Sequence, residues 1–292
     1  MDPIIINLLI VVIGTGIAAY TDYKSSIIPD KLSHFMIASG IILAPIVHNN
    51  LLFIYSVAAI VFGIGFAMYS FGQIGGGDVK LFTAIALLVP YYPDIMKPIA
   101  ESIGINPAIP VYPFVGSVFI LSGIIGPMFA ISIQNHYKIF KKKNEIEEYS
   151  RKIKKGLLFA ALLTPLLLIW IYMSIAFLFL FIPMAITVSL IPFKEDMIDL
   201  FYSVKKPIKD LNDDDVLALE QISEEKQEEL GLWRKTFTSP ELKNIKKKAE
   251  ESNYEKVPVC EDLPIFVPYI FLALLISLVI GDAFLYLVRV TI

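Results

Sequence analysis

The chain has 292 residues, 56% of them hydrophobic and 18% charged, with a mean hydropathy of +0.66. A soluble domain carries about 25% charged residues, and here the apolar residues fall in blocks long enough to cross a bilayer. That excludes a soluble globular fold and implies an all-α, polytopic helical membrane protein. The net charge of −3 says little by itself, while the single cysteine, Cys260, excludes an internal disulfide and a cysteine-based zinc site.

Candidate spans run over 3–20, 32–47, 51–71, 81–96, 111–134, 157–191 and 263–288. Most are near the ~20 residues that cover ~30 Å of hydrocarbon. The first begins at Pro3 with no basic region before it and no small-residue cleavage site after it, so it reads as a retained span rather than a signal peptide. The fourth ends at Val89-Pro90-Tyr91-Tyr92-Pro93, where prolines stop the helix and tyrosines suit the interface.

The run at 157–191 is too long for one crossing, and Pro165 and Pro183 offer break points within it. Lys and Arg number two in 21–31, one in 72–80, eight in 135–155 and twelve in 192–262, and only Lys97 and Arg289 lie elsewhere. With the N-terminus outside, alternate crossings place the first three segments in the cytoplasm, as the positive-inside tendency expects. Segment 192–262 joins them if 157–191 is a tight hairpin. The reading is therefore about six core spans plus an extra helical hairpin, with a small cytoplasmic domain.

Five segments follow from this: a membrane core over 1–134, a basic loop over 135–156, the hydrophobic hairpin over 157–191, a charged module over 192–262 and a C-terminal span over 263–292. The module holds 18 acidic and 12 basic residues and reads as a partly helical unit with a solvated surface, or as a lure for a basic partner. The basic cluster of Lys141, Lys142 and Lys143 with Arg151, Lys152, Lys154 and Lys155 is assigned to anionic lipid headgroups; nucleic-acid binding is not expected beside membrane spans.

Two carboxylates stand at the edges of spans. Asp22 sits just after the first, in Ala19-Tyr20-Thr21-Asp22-Tyr23-Lys24, and Asp78 follows Gly75-Gly76-Gly77 before the fourth. An ionisable group at membrane depth is a functional candidate. Two carboxylates within a few ångströms share a proton, so that one acts as base on a water while the other protonates a carbonyl oxygen. That chemistry hydrolyses a peptide bond without metal or cofactor, and none is expected. Glycines without Cβ atoms would let the backbone approach an extended substrate.

A plainer account stays open: Asp78 caps the next helix and Asp22 pairs with Lys24. Lys80 either snorkels to the interface or donates to Asp78. Asp30 caps the second helix, and Asp282, near the outer end of the last span, is solvated at the interface.

The stretch Thr21-Asp22-Tyr23-Lys24-Ser25-Ser26-Ile27-Ile28-Pro29-Asp30-Lys31-Leu32 resembles the first aspartate motif of the type IV prepilin peptidases. Gly75-Gly76-Gly77-Asp78-Val79-Lys80-Leu81 resembles their second, GxGD followed by Lys and an apolar residue. Both the order of the motifs and the two spans between them fit that family, and the likeness is greatest to its archaeal prepilin and preflagellin branch. The resemblance covers roughly residues 1–135. It implies a membrane aspartic endopeptidase with Asp22 and Asp78 as the catalytic pair and Gly75 and Gly77 shaping the loop. Lys80 would be a supporting residue.

The implied substrates are prepilin or preflagellin subunits with a short basic leader, and the implied location is the cell membrane with the site facing the cytoplasm. Paired cysteines of the bacterial methylating relatives are missing, so methylation is not implied. The block 157–191 exceeds the six spans usual for preflagellin peptidases. Two other readings compete. A presenilin or signal-peptide-peptidase type would place its first aspartate in mid-span, and a transporter using Asp22 and Asp78 as ion sites would show paired halves.

Overall fold

In the computed structural model, which describes residues 3–70, 74–165, 178–212, 215–233, 237, 239–252, 254–260 and 265–291, the apolar runs fold as helices. The chain divides into two compact units. One comprises Met1–Phe62, Gly77–Phe193 and Ile265–Ile292; the other comprises Gly63–Gly76 and Lys194–Pro264.

Helix α1 (Pro3–Ser25) is followed by Ser26 at φ 53° and then Pro29, which together break the chain before α2 (Asp30–Val47). Helix α3 (Leu51–Ser70) comes next, then α4 (Gly76–Leu88) and the short α5 (Met96–Ser102). A long helix, α6, covers Phe114–Lys141. Its middle, Ile124–Ile131, winds as a π-helix around Pro127, whose missing N–H cannot serve the regular ladder. Helix α7 (Tyr149–Ala161) and α8 (Leu178–Val188) come next. After the other unit follow α11 (Val267–Ile280) and α12 (Ala283–Thr291), so named because α9 and α10 lie in that unit. Helices α1, α2, α3 and α6 are long and apolar enough to cross a membrane, and α11 is a shorter apolar helix.

The bundle has an apolar core around Met36, Leu81, Ile85, Phe114 and Leu274, to which α1 adds mainly small and polar residues. On α1 the residues turned inward are Asn7, Val11, Gly14, Thr15, Ala18 and Asp22, small or polar, while Leu9, Ile13, Ile17 and Tyr20 face out. Lipid solvates the apolar side chains, so close approach of small residues and interhelical hydrogen bonds hold the helices together. Gly40 shows the approach: a Cβ there would lie 2.6 Å from the Leu87 Cβ. Helix α4 is buried over almost its whole length, and its last turn is tied to α1 by Asn7, whose Nδ2 donates to the Leu88 carbonyl at 3.0 Å. Helix α11 packs on α1, α5 and α6, and α8 packs along the π-helical part of α6.

Three expectations need correction. The fourth span was placed over 81–96, but its helix begins at Gly76 and ends at Leu88, because Pro90 and Pro93 bar continuation. The fifth, expected over 111–134, starts at Phe114 after Pro113 and continues to Lys141. The last, expected over 263–288, is broken at Gly281, whose φ of 76° and ψ of −128° end α11 and let α12 start afresh. The turn of the expected hairpin, 166–177, lies outside the described residues.

The second unit contains an antiparallel sheet of β1 (Ser203–Pro207), β2 (Val216–Leu217) and β3 (Lys256–Cys260) in the order β1-β3-β2. Helices α9 (Glu224–Leu230) and α10 (Ser239–Glu251) contribute to a separate core around Leu217, Leu230, Ile245, Val257 and Val259. A half-buried ion pair from Lys206 to Asp215, at 2.8 Å, ties β1 to the start of β2.

Candidate active site

Asp78 is the third residue of α4, in its first turn, where the free N–H groups and the positive end of the helix dipole favour a negative charge. Asp22 sits at the opposite kind of end, three residues before the close of α1, where its own helix presents carbonyls. The bundle supplies what α1 lacks. The Asp22 Oδ2 accepts the backbone N–H groups of Phe266 and Val267, both at 3.1 Å, and these residues are the N-cap and first residue of α11. Each aspartate therefore stands at a helix N-terminus, Asp78 at its own and Asp22 at that of α11. Each is 8% exposed.

Further contacts hold the end of α1 and the start of α4 at the same end of the bundle. Ile28, in the turn after α1, packs on Gly77 so closely that a Cβ there would lie 2.8 Å from the Ile28 Cδ1. The Lys80 ammonium pairs with the Asp30 carboxylate at the start of α2. The Phe266 ring lies 6.3 Å from that of Phe82, one turn beyond Asp78. Gly77 is thus packed closely against the Ile28 side chain. Gly75 precedes α4, and Gly76 lies against the Tyr69 ring.

Lys80 and Asp30 correct two expectations. In the contact it makes, the Lys80 ammonium bonds to the Asp30 carboxylate rather than to that of Asp78. Asp30 does not cap α2, whose N-cap is Pro29 and which has no side-chain cap bond. Asp30's carboxylate is drawn instead to the ammonium of α4. The two lie 50 residues apart, and their opposite charges at the starts of two neighbouring helices were the available signal.

Asp282 is corrected more fully. It is 1% exposed, not solvated. Its Oδ2 accepts the Ser117 hydroxyl at 2.9 Å and the Tyr112 hydroxyl, and its Oδ1 accepts the Leu285 N–H at 2.7 Å as the cap of α12. This cluster lies at the far end of α11 from Asp22, beside the bridge between Ala108 and Gly281.

Residues 9–131 match the type IV leader peptidase family, a range that includes Asp22, Asp30, Asp78 and Lys80 and stops short of Phe266. The prepilin peptidase EppA of Methanothermobacter thermautotrophicus is 31% identical to the chain over 99 residues, which are 32% of this chain. The aligned part spans about a quarter of that relative's length, 26%. No solved structure matches the chain.

Proposed function

Because residues 9–131 match the type IV leader peptidase family, we propose that the chain is a membrane-embedded aspartic endopeptidase with Asp22 and Asp78 as its catalytic pair. One observation carries the reading: two buried aspartates from different helices meet the same end of one bundle, each at a helix N-terminus. One carboxylate acts as base on the attacking water and the other, protonated, donates to the scissile carbonyl oxygen. When the C–N bond breaks, the base gives its proton to the leaving amine and the other carboxylate takes one back from a hydroxyl of the gem-diol, which leaves as the carboxylic acid. No metal or cofactor takes part in this scheme.

The substrates on this reading are prepilin or preflagellin subunits, and the bond cut lies where a short basic leader meets a hydrophobic helix. The name of the methanogen relative supports the substrate class. A site at the cytoplasmic membrane edge fits such a bond, and the Lys and Arg content of 21–31 and 135–155 supports that orientation. Co-expression of the chain with a prepilin or preflagellin precursor tests the reading. Cleavage is expected with the wild type and should be lost in both Asp22→Asn and Asp78→Asn. Normal processing by both variants would sink it.

A further inference from the structure

Phe266 touches both halves of the candidate site. Its backbone N–H, with that of Val267, holds the Asp22 Oδ2 at 3.1 Å. Its ring meets Phe82 at a centroid distance of 6.3 Å and 48°. Phe82 is 3% exposed and lies four residues after Asp78 on α4, so it stands directly behind that aspartate. On another side Phe82 meets Phe119 of α6 edge-on, at 5.3 Å and 67°. The ring of Phe266 therefore closes an aromatic file from α6 through α4 to the start of α11, and the backbone of the same residue ends on Asp22.

We propose that Phe266 is a positioning residue of the aspartate site, fixing the end of α1 relative to the start of α4. The proposal rests on the peptidase reading and goes beyond it, since Phe266 lies outside the segment matched to the family. Its physical basis is geometric. Neither aspartate is joined to the other's helix by a continuous short stretch of chain; the Ile28–Gly77 and Asp30–Lys80 contacts tie the turn after Asp22 to α4. Of these ties, the one at the start of α11, where the N–H of Phe266 is joined by that of Val267, grips the Asp22 carboxylate itself. Truncating the ring leaves the amide in place but frees α11 to shift against α4, and a displacement near 1 Å at reacting groups costs about a hundred-fold in rate.

The test uses the full chain in detergent or liposomes and, as probe, a precursor with a short lysine-rich leader ahead of one apolar helix. Phe266→Ala is expected to lower kcat about ten- to a hundred-fold with KM little changed, and Phe266→Tyr, which restores the ring, to recover most of it. The comparison variant is Phe53→Ala, which removes a ring stacked on Tyr91 at 5.1 Å at the opposite end of the bundle. It should lower stability without that loss of kcat.

A second measurement does not depend on activity. In a Cys260→Ser background, the pair Phe82→Cys and Phe266→Cys should be joined by a short bifunctional thiol reagent as readily as Phe82→Cys with Phe119→Cys, read by peptide mass spectrometry. Wild-type kcat in Phe266→Ala, equal losses in Phe266→Ala and Phe53→Ala, or no cross-link at 82 and 266 where 82 and 119 do join, would each overturn the proposal. A wild-type chain that cleaves no precursor while the 82–266 cross-link forms removes the peptidase reading, and the catalytic role of Phe266 with it, but leaves the contact standing.

Discussion

At the scale of single residues, the two ends of the bundle treat carboxylates differently. Asp22 is given two N–H donors from backbone and no charged partner in that contact. Asp282 is enclosed, with two hydroxyls and an amide directed at it. Removing a buried acceptor strands its donors, at about 1–3 kcal/mol for such a group. Asp282→Ala is therefore expected to destabilise the protein by about 3 kcal/mol, measured by denaturant titration in micelles, while Ser102→Ala, an exposed hydroxyl, should change it little. The Tyr112 hydroxyl in this cluster is pushed up to about 12, first by burial and then by its bond to Asp282. A folded-state value above the ordinary 10.0 means the neutral hydroxyl stabilises the fold fully below pH 10 and that this contribution disappears as the pH rises toward 12. Tyr112→Phe should flatten that part of the stability profile.

At the scale of elements, glycine decides how near two helices come. Gly14 and Gly40 both look like ordinary small residues in apolar runs, yet their neighbours differ. A Cβ on Gly14 would lie 2.5 Å from the Met36 Sδ, the far part of a flexible side chain that can swing aside. A Cβ on Gly40 would lie 2.6 Å from the Leu87 Cβ, which moves only with the α4 backbone. Gly40→Ala is expected to cost about 1–3 kcal/mol by overpacking and Gly14→Ala clearly less; thermal unfolding of the two variants side by side checks the order. The same elements show what could be read from the chain before its structure. Apolar runs bounded by Pro and polar turns marked α2 and α3 closely, whereas α1 runs past its expected end at residue 20 to Ser25 and takes Asp22 into the helix; the spacing of the two aspartate motifs pointed to two helix ends. The break at Gly281 was hidden because Gly-Asp inside an apolar run reads as a tolerated interruption, whereas the cause is a contact with Ala108, 173 residues earlier. The strands β1 and β3 each contain a proline and alternate poorly, so their pairing comes from tertiary context. Phe266 carried no local signal at all, because its role depends on Asp22, 244 residues away.

At the scale of the whole chain, the directions of α6, α8 and α11 constrain how many times 157–191 crosses the membrane. Helix α6 starts near the Asp282 cluster, through Ser117, and its far end at Lys141 lies toward the aspartate end. Helix α11 starts at Asp22 and ends at the Ala108–Gly281 bridge, so the chain re-enters the bundle at residue 265 from the aspartate end. Between Lys141 and residue 265 the chain thus leaves and returns on one face, which requires an even number of crossings. Helix α8 gives the direction of the last stretch before residue 191. Its Thr187 bonds to Ser132 at 2.9 Å and the following Ser189 bonds to His136 at 2.8 Å, so it runs parallel to α6 and toward the aspartate end. A returning helix needs an outgoing one, and Gly156 of α7 already lies against the Ser189 carbonyl. Two crossings are therefore expected, as the positive-inside tendency also expects from the Lys and Arg content of 135–155 and 192–262. In a Cys260→Ser background, single cysteines at Lys154 and Ile191, both exposed, should share the same access to an impermeant thiol reagent in sealed cells. Val111→Cys, fully exposed at the other end, should show the opposite access, reacting from outside if the aspartates face the cytoplasm. Opposite access at 154 and 191 would mean a single crossing and would force α11 to enter from the other face, which the hydrogen bonds of Phe266 and Val267 to Asp22 do not permit.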